Sequence, residues 1–181
     1  QQEVGAIMRN ELTPIQQVSN IYLKRDDLWE GQAPGRGAKA RTASAVCERA
    51  IEHKVVELCS NHDRNSSVPG MLARVCRYYG MGLHLWLPAA REALPPVFEE
   101  ARANGAVLEQ ISPGYMSVRK KRMEQYADTR TRRVILGVGL SWHGCGRSET
   151  VTQTSNVRSL IVSGQVKRVV IPVGSGVMFS A

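Results

Sequence analysis

Short apolar runs alternate with stretches of helical periodicity along this chain, and that alternation restricts its fold more than any other feature. Residues 55–59, 83–87 and 106–111 are apolar runs bounded by turn residues, the pattern of buried strands. Between them, Ala43, Val46, Cys47, Ala50 and Ile51 fall at the i, i+3, i+4, i+7, i+8 positions of one helical face. Met71, Leu72, Val75, Cys76 and Tyr79 do much the same. Residues 94–103 begin with Pro95-Pro96, which suits a first helical turn, where the missing N–H is not needed. Strands joined by crossovers longer than about 12 residues pair in parallel. The prediction is an α/β chain with open parallel sheets and flanking helices.

A second set follows. Residues 115–128 are predicted to be a helix, 134–140 a strand, 141–146 a loop and 150–163 a helix. Residues 166–173 read as an apolar strand that ends in Gly174-Ser175-Gly176. Such a turn normally feeds a helix whose exposed N–H groups bind phosphate. Only Val177 to Ala181 remain to begin one, so the chain is expected to be cut short.

Lys and Arg outnumber Asp and Glu by 24 to 16, a formal charge of +8 that favours anionic partners. The densest cluster, from Arg119 to Arg133, reads either as a solvated helix face and turn or as a nucleic-acid patch. No zinc-finger or RNA-binding motif accompanies it, and aromatic residues at 6% give base stacking little material. No apolar run approaches the ~20 residues of a membrane span. The first ten residues lack the charged start and apolar stretch of a signal peptide. Four scattered cysteines without a C-x-x-C pair suit reduced thiols, and a cytoplasmic location is expected.

Three segments could carry chemistry. Gly174-Ser175-Gly176 offers N–H groups and a hydroxyl to an anion, or is a plain strand-end turn. In Gly35-Arg36-Gly37-Ala38-Lys39-Ala40-Arg41, a lysine stands at a glycine-rich helix entrance beside two cations, a setting that suits an amine nucleophile; a surface lysine is the alternative. Asn65-Ser66-Ser67-Val68-Pro69-Gly70 could hold a ring oxygen or a carboxylate, or simply cap a helix. Cys59-x-x-His62 with His143-x-Cys145 supplies four ligand types for zinc, but the spacing matches no established pattern and no metal is predicted. Trp142 lies in a loop that could line a pocket.

Taken together, these segments resemble the fold-type II pyridoxal-phosphate enzymes, the tryptophan synthase β-like superfamily. The nearest branch looks like 1-aminocyclopropane-1-carboxylate deaminase and D-cysteine desulfhydrase. Leu12-Thr13-Pro14 is similar to that branch's opening motif, and residues 23–28, Leu-Lys-Arg-Asp-Asp-Leu, match its L-K-R-D-D-L. Gly37-Ala38-Lys39-Ala40-Arg41 is similar to G-N-K-x-R, whose lysine forms the internal aldimine; Ala38 replaces the usual Asn. Ser66-Ser67-Val68 lies where the branch has Ser-Asn-His, at the same distance before Tyr79-Gly80, so Ser67 replaces an Asn that contacts the cofactor ring oxygen. Glu149 and Gln153 fit an E-x-x-x-Q helix, and residues 173–176 fit the phosphate loop. Val177-Met178-Phe179 stands in place of the usual Gly-Gly-Thr.

The resemblance implies a two-lobed enzyme: residues 1–42 and 122–181 in a large lobe whose C-terminal part is missing, and residues 43–121 in a small lobe. It implies pyridoxal 5'-phosphate as cofactor, with Lys39 and Ser66 catalytic. Lys39, Asn65, Ser67, Gly174, Ser175 and Gly176 would bind the cofactor. The expected function is a lyase or deaminase acting on a small amino acid, in a homodimer. The alternatives are a degenerate, non-catalytic relative, or an enzyme acting on an amino group attached to nucleic acid.

Overall fold

The structure is a computed structural model. It describes residues 12–112, 116–128, 132–137, 140, 142, 144–145 and 147–170, with 147–149 by backbone alone. Strands β1 (Ile15–Val18) and β2 (Ile21–Lys24) form an antiparallel hairpin closed by Ser19 and Asn20. Ser19 adopts φ +56°, the left-handed turn geometry that tight hairpins require. The apolar alternation here is too weak to announce a strand pair, and the sequence reading did not find it. A short 3-10 helix (Asp26–Leu28) leads on to helix α1 (Gly37–Glu52).

The main sheet contains strands β3 (Glu57–Asn61), β4 (Gly82–Pro88), β5 (Val107–Ile111) and β6 (Arg133–Ile135), all parallel, in the order β5-β4-β3-β6. Helices α2 (Pro69–Tyr78), α3 (Pro96–Ala103) and α4 (Met116–Asp128) provide the crossovers. This is the predicted parallel α/β architecture. The period of two divides each strand between two cores. Leu58, Leu83 and Leu85 pack with Ala43, Val46 and Cys47 of α1, Leu72 and Val75 of α2, and Ala101 of α3. On the other face, Cys59, Trp86 and Ile111 pack with Met123 of α4.

β6 is only three residues long, and side chains secure it to β3. Glu57 takes a hydrogen bond from the Tyr126 hydroxyl at 3.1 Å and an ion pair from Arg133, whose guanidinium lies 3.6 Å above the Tyr126 ring. β6 therefore belongs to the sheet of β3, β4 and β5, and α1 runs across position 42.

Three expectations need correction. Residues 166–170 form no strand, and Val170 is 85% exposed; a strand needs a neighbour to complete its hydrogen bonds, and none lies beside it among the described residues. The helix expected over 150–163 is broken into α5 (Arg147–Gln153) and α6 (Ser155–Val162). At the break, the Thr154 hydroxyl donates to the Thr150 carbonyl at 2.9 Å, a back-bond that bends helices. The basic run at 119–122 is not uniformly solvated: Arg119 is 6% exposed and donates to Asp63 at 2.7 Å.

Candidate functional site

The sheet order places the site. From β3 the chain crosses by α2 and α3 to β4 and β5 on one side, then α4 returns it to β6 on the other side of β3. The strand order thus reverses between β3 and β6. Beyond the carboxyl ends of two such strands lies the crevice where open parallel sheets bind ligands. α1 is 16 residues long, ~24 Å, and four residues join its end to the start of β3. It runs back along the sheet, so its N-terminus, with Lys39 in the first turn, lies at the edge where β3 ends.

A buried polar network fixes that N-terminus, and it consists of residues from the sequence motifs. The Thr13 hydroxyl donates to Asp26 at 2.8 Å, and the Thr13 N–H donates to the Gln153 side chain at 2.9 Å. Lys24 donates to the Thr13 carbonyl at 2.6 Å, as does Asn156 at 3.1 Å. The other Asp26 oxygen accepts from Arg41 at 3.4 Å. Burial lowers the Lys24 pKa, Asp26 opposes the shift and Arg41 adds to it. The Leu-Thr-Pro, Leu-Lys-Arg-Asp-Asp-Leu, Gly-x-Lys-x-Arg and Glu-x-x-x-Gln segments thus meet around one carboxylate. Gly37 completes the arrangement. Its φ of +83° suits glycine, and its N–H reaches the Trp29 carbonyl at 3.1 Å.

Lys39 is exposed, in contrast to its buried neighbours Ala40, Arg41 and Thr42. Its charge acts on His62, just past the end of β3. The His62 Nε2 lies 2.9 Å from the Ser60 hydroxyl, and Nδ1 lies 3.2 Å from the Ser66 hydroxyl. The His62 pKa is pushed down to about 4, first by burial, then by Lys39, against a smaller opposing effect of Asp63. The ring is therefore neutral at pH 7. Ser66 also accepts from the Val68 N–H at 3.4 Å, and its own N–H donates to the Asp63 carbonyl at 2.9 Å. The loop is held from two sides: Arg119 grips Asp63, and Arg64 donates to the Glu92 and Ala93 carbonyls.

Ser66 joins His62 just past the end of β3, and Lys39 stands in the first turn of α1, at the edge of the sheet where β3 ends. Asn65 and Ser67 have exposed side chains with no hydrogen-bond partner among the described residues. Gly174, Ser175 and Gly176 lie outside the described residues, as does His143. Cys59 and His62 do not converge on a metal: both His62 nitrogens are engaged by serines, while Cys59 is buried with its pKa raised to about 12, chiefly by burial. Sequence reasoning missed Ser60 and His62 as site residues. A signal was available, because Ser60-Asn61-His62 spells the tripeptide sought six residues later.

The parallel sheet with its switch-point crevice is the fold of the fold-type II pyridoxal-phosphate enzymes, and likeness to solved structures shows that fold for this chain. No protein-family model matches it, and no curated protein sequence does. Among solved structures, an ACC deaminase homologue matches with a TM-score of 0.72 and 19% identity, covering 94% of this chain and 55% of its own. A pyridoxal 5'-phosphate-dependent aspartate racemase matches with a TM-score of 0.60 and 18% identity, over 88% of this chain and 45% of its own. A hydrogen sulfide-producing enzyme from Fusobacterium nucleatum matches with a TM-score of 0.56 and 19% identity, over 81% and 50%. The chain spans about half the length of these solved chains. Among the described residues, no helix is long and apolar enough to cross a membrane.

Proposed function

We propose that the chain carries the lysine-bearing part of a pyridoxal-phosphate-dependent lyase or deaminase acting on a small amino acid. The observation that supports this best is the Ser60–His62–Ser66 cluster just past the end of β3 at the switch point, with Lys39 in the first turn of α1 at that same edge of the sheet. The donor set suits the aldehyde end of the cofactor: a primary amine at the rim of the crevice and hydroxyls beyond β3. Gly174, Ser175 and Gly176 are proposed to hold the phosphate, with Asn65 and Ser67 exposed in the loop that would face the ring or substrate. We propose that residues 1–42 and 122–181 belong to the larger lobe and 43–121 to the smaller, with β6 hydrogen-bonded to β3 where the two stretches meet.

When bound, pyridoxal phosphate supplies an electron sink for charge left on the substrate's α-carbon. Lys39 would hold the cofactor through Nζ and, once the substrate's amino group had taken its place there, the freed amine would move the proton at the substrate's Cα. Ser66 offers its hydroxyl to the substrate carboxylate or to a proton in transit. The Asp26 network keeps the α1 entrance fixed, so the amine needs little reorganisation to meet its target. We further propose a cytoplasmic homodimer. The reading in which nucleic acid carries the amino group loses one cation, because Arg119 is engaged internally by Asp63.

The test is cofactor titration of the purified protein. A visible absorption band should grow in, and Lys39→Ala should abolish it. Borohydride reduction followed by peptide mass mapping should place the label on Lys39. A chain that gains no band, or one labelled at another lysine, overturns the proposal. A band without turnover of any small amino acid would favour the non-catalytic reading.

A further inference from the structure

We propose that His62 is a positioning residue, anchored by Ser60, that holds the Ser66 oxygen so that the Ser66 hydroxyl proton is free to point into the crevice. The inference rests on the proposed function only for what that proton serves; the arrangement itself follows from hydrogen-bond accounting.

Ser60 occupies a buried position in β3, on the face covered by α1 and α2. Its hydroxyl meets one partner among the described residues, the His62 Nε2 at 2.9 Å. A buried donor left unmade costs more than an unused acceptor lone pair, so the Ser60 proton belongs on that bond and Nε2 must accept it. A neutral imidazole that accepts at Nε2 carries its own proton on Nδ1. Nδ1–H then donates to Ser66 at 3.2 Å, and the Val68 N–H reaches the same oxygen at 3.4 Å. With two donors aimed at its oxygen, Ser66 has both lone pairs occupied and its proton uncommitted. The reverse tautomer would leave the Ser60 proton orphaned in the core.

The ring is fixed to the sheet as well as to the loop. The His62 N–H continues the β3–β4 ladder by donating to the Trp86 carbonyl at 2.9 Å. The charged groups that act on the ring are Lys39 and Asp63, and the lysine outweighs the carboxylate. Both the geometry and the local charge therefore favour one neutral tautomer. They also tie its stability to the charge state of Lys39.

The test is long-range proton–nitrogen NMR on the full chain labelled with ¹⁵N-histidine, at pH 7.5 without cofactor. His62→Gln assigns the signal, and Ser66→Ala assigns it by shift if the glutamine variant does not fold. His62 should show a neutral ring with Nδ1 protonated. Ser60→Ala should erode that preference, and Lys39→Gln should move the His62 titration midpoint upward. An Nε2-protonated ring, an imidazolium at pH 7.5, or a tautomer unmoved by Ser60→Ala overturns the proposal. The expected tautomer in a protein that fails cofactor titration overturns the proposed function and leaves this inference standing.

Discussion

Replacing Asp26 with Asn should destabilise the chain far more than the same change at its neighbour Asp27. Asp26 accepts from the Thr13 hydroxyl at 2.8 Å and from Arg41 at 3.4 Å, with Lys24 at 3.9 Å. Arg41 is 4% exposed, and its Nε and Nη1 have no partner, so Asp26 is its one counter-charge among the described residues. Asparagine keeps the shape and an acceptor for Thr13 but removes the charge, which strands a buried guanidinium. Breaking a buried pair from one side costs about 3–5 kcal/mol. In a chain of this size each kcal/mol lowers the melting midpoint by roughly 2–4 °C, so a drop on the order of 6–20 °C is expected. Asp27 bonds only to Arg25 at the surface, where ion pairs contribute little, and Asp27→Asn should melt with the parent. The double variant Asp26→Asn/Arg41→Met should recover part of the loss. Thermal unfolding followed by circular dichroism reads all four proteins. Equal midpoints for the Asp26 and Asp27 variants would refute the argument.

Gly37→Ala should cost about 1–2 kcal/mol, because the residue sits at φ +83°, and should weaken the cofactor band by displacing Lys39; unchanged stability and band intensity would count against a fixed helix entrance. His62 is held at about 4 against an ordinary 6.5, so between those values the unfolded chain binds a proton that the folded chain refuses. Stability should therefore fall as pH drops from 6.5 toward 4, by about 3 kcal/mol, and His62→Gln should flatten that slope in urea titrations. Iodoacetamide should reach half-buried Cys145 first, while buried Cys47, Cys59 and Cys76 react only on unfolding, as peptide mass mapping would reveal.

What could be read from the sequence follows from how locally each signal is encoded. Strands β3 and β4 bury nearly every side chain, so their apolar runs stand out, and β5 is marked by Leu108 and Ile111, which pack into the two cores. Pro95-Pro96 and Pro69 mark helix starts on their own. The hairpin of β1 and β2 carries exposed Val18, Ile21 and Leu23, so no alternation between core and solvent marks it. Residues 166–170 have the composition of a strand, but pairing depends on a neighbour that local composition does not specify. The candidate roles of Lys39 and Ser66 come from the resemblance alone. That Arg119 is internal, and that Thr13, Asp26, Arg41 and Gln153 form one network, depends on contacts spanning up to 140 positions.

The clearest lesson concerns the two tripeptides. Spacing from Tyr79-Gly80 selects Ser66-Ser67-Val68, whereas the letters Ser-Asn-His select Ser60-Asn61-His62. Strand alternation decides how far the letters can be trusted. Ser60 and Leu58 share the face packed by α1, so Asn61, one residue on, belongs to the face beneath α4. Its Oδ1 is buried there without a partner. Asn61 thus faces away from the side of the sheet that α1 covers, whereas Ser66 and Ser67 lie in the loop beyond the strand. Ser60 and His62 do reach the crevice, and the turn through Asp63 brings Ser66 back to His62. The two stretches therefore form one cluster, in which the later serine supplies the free hydroxyl and the earlier pair aims it.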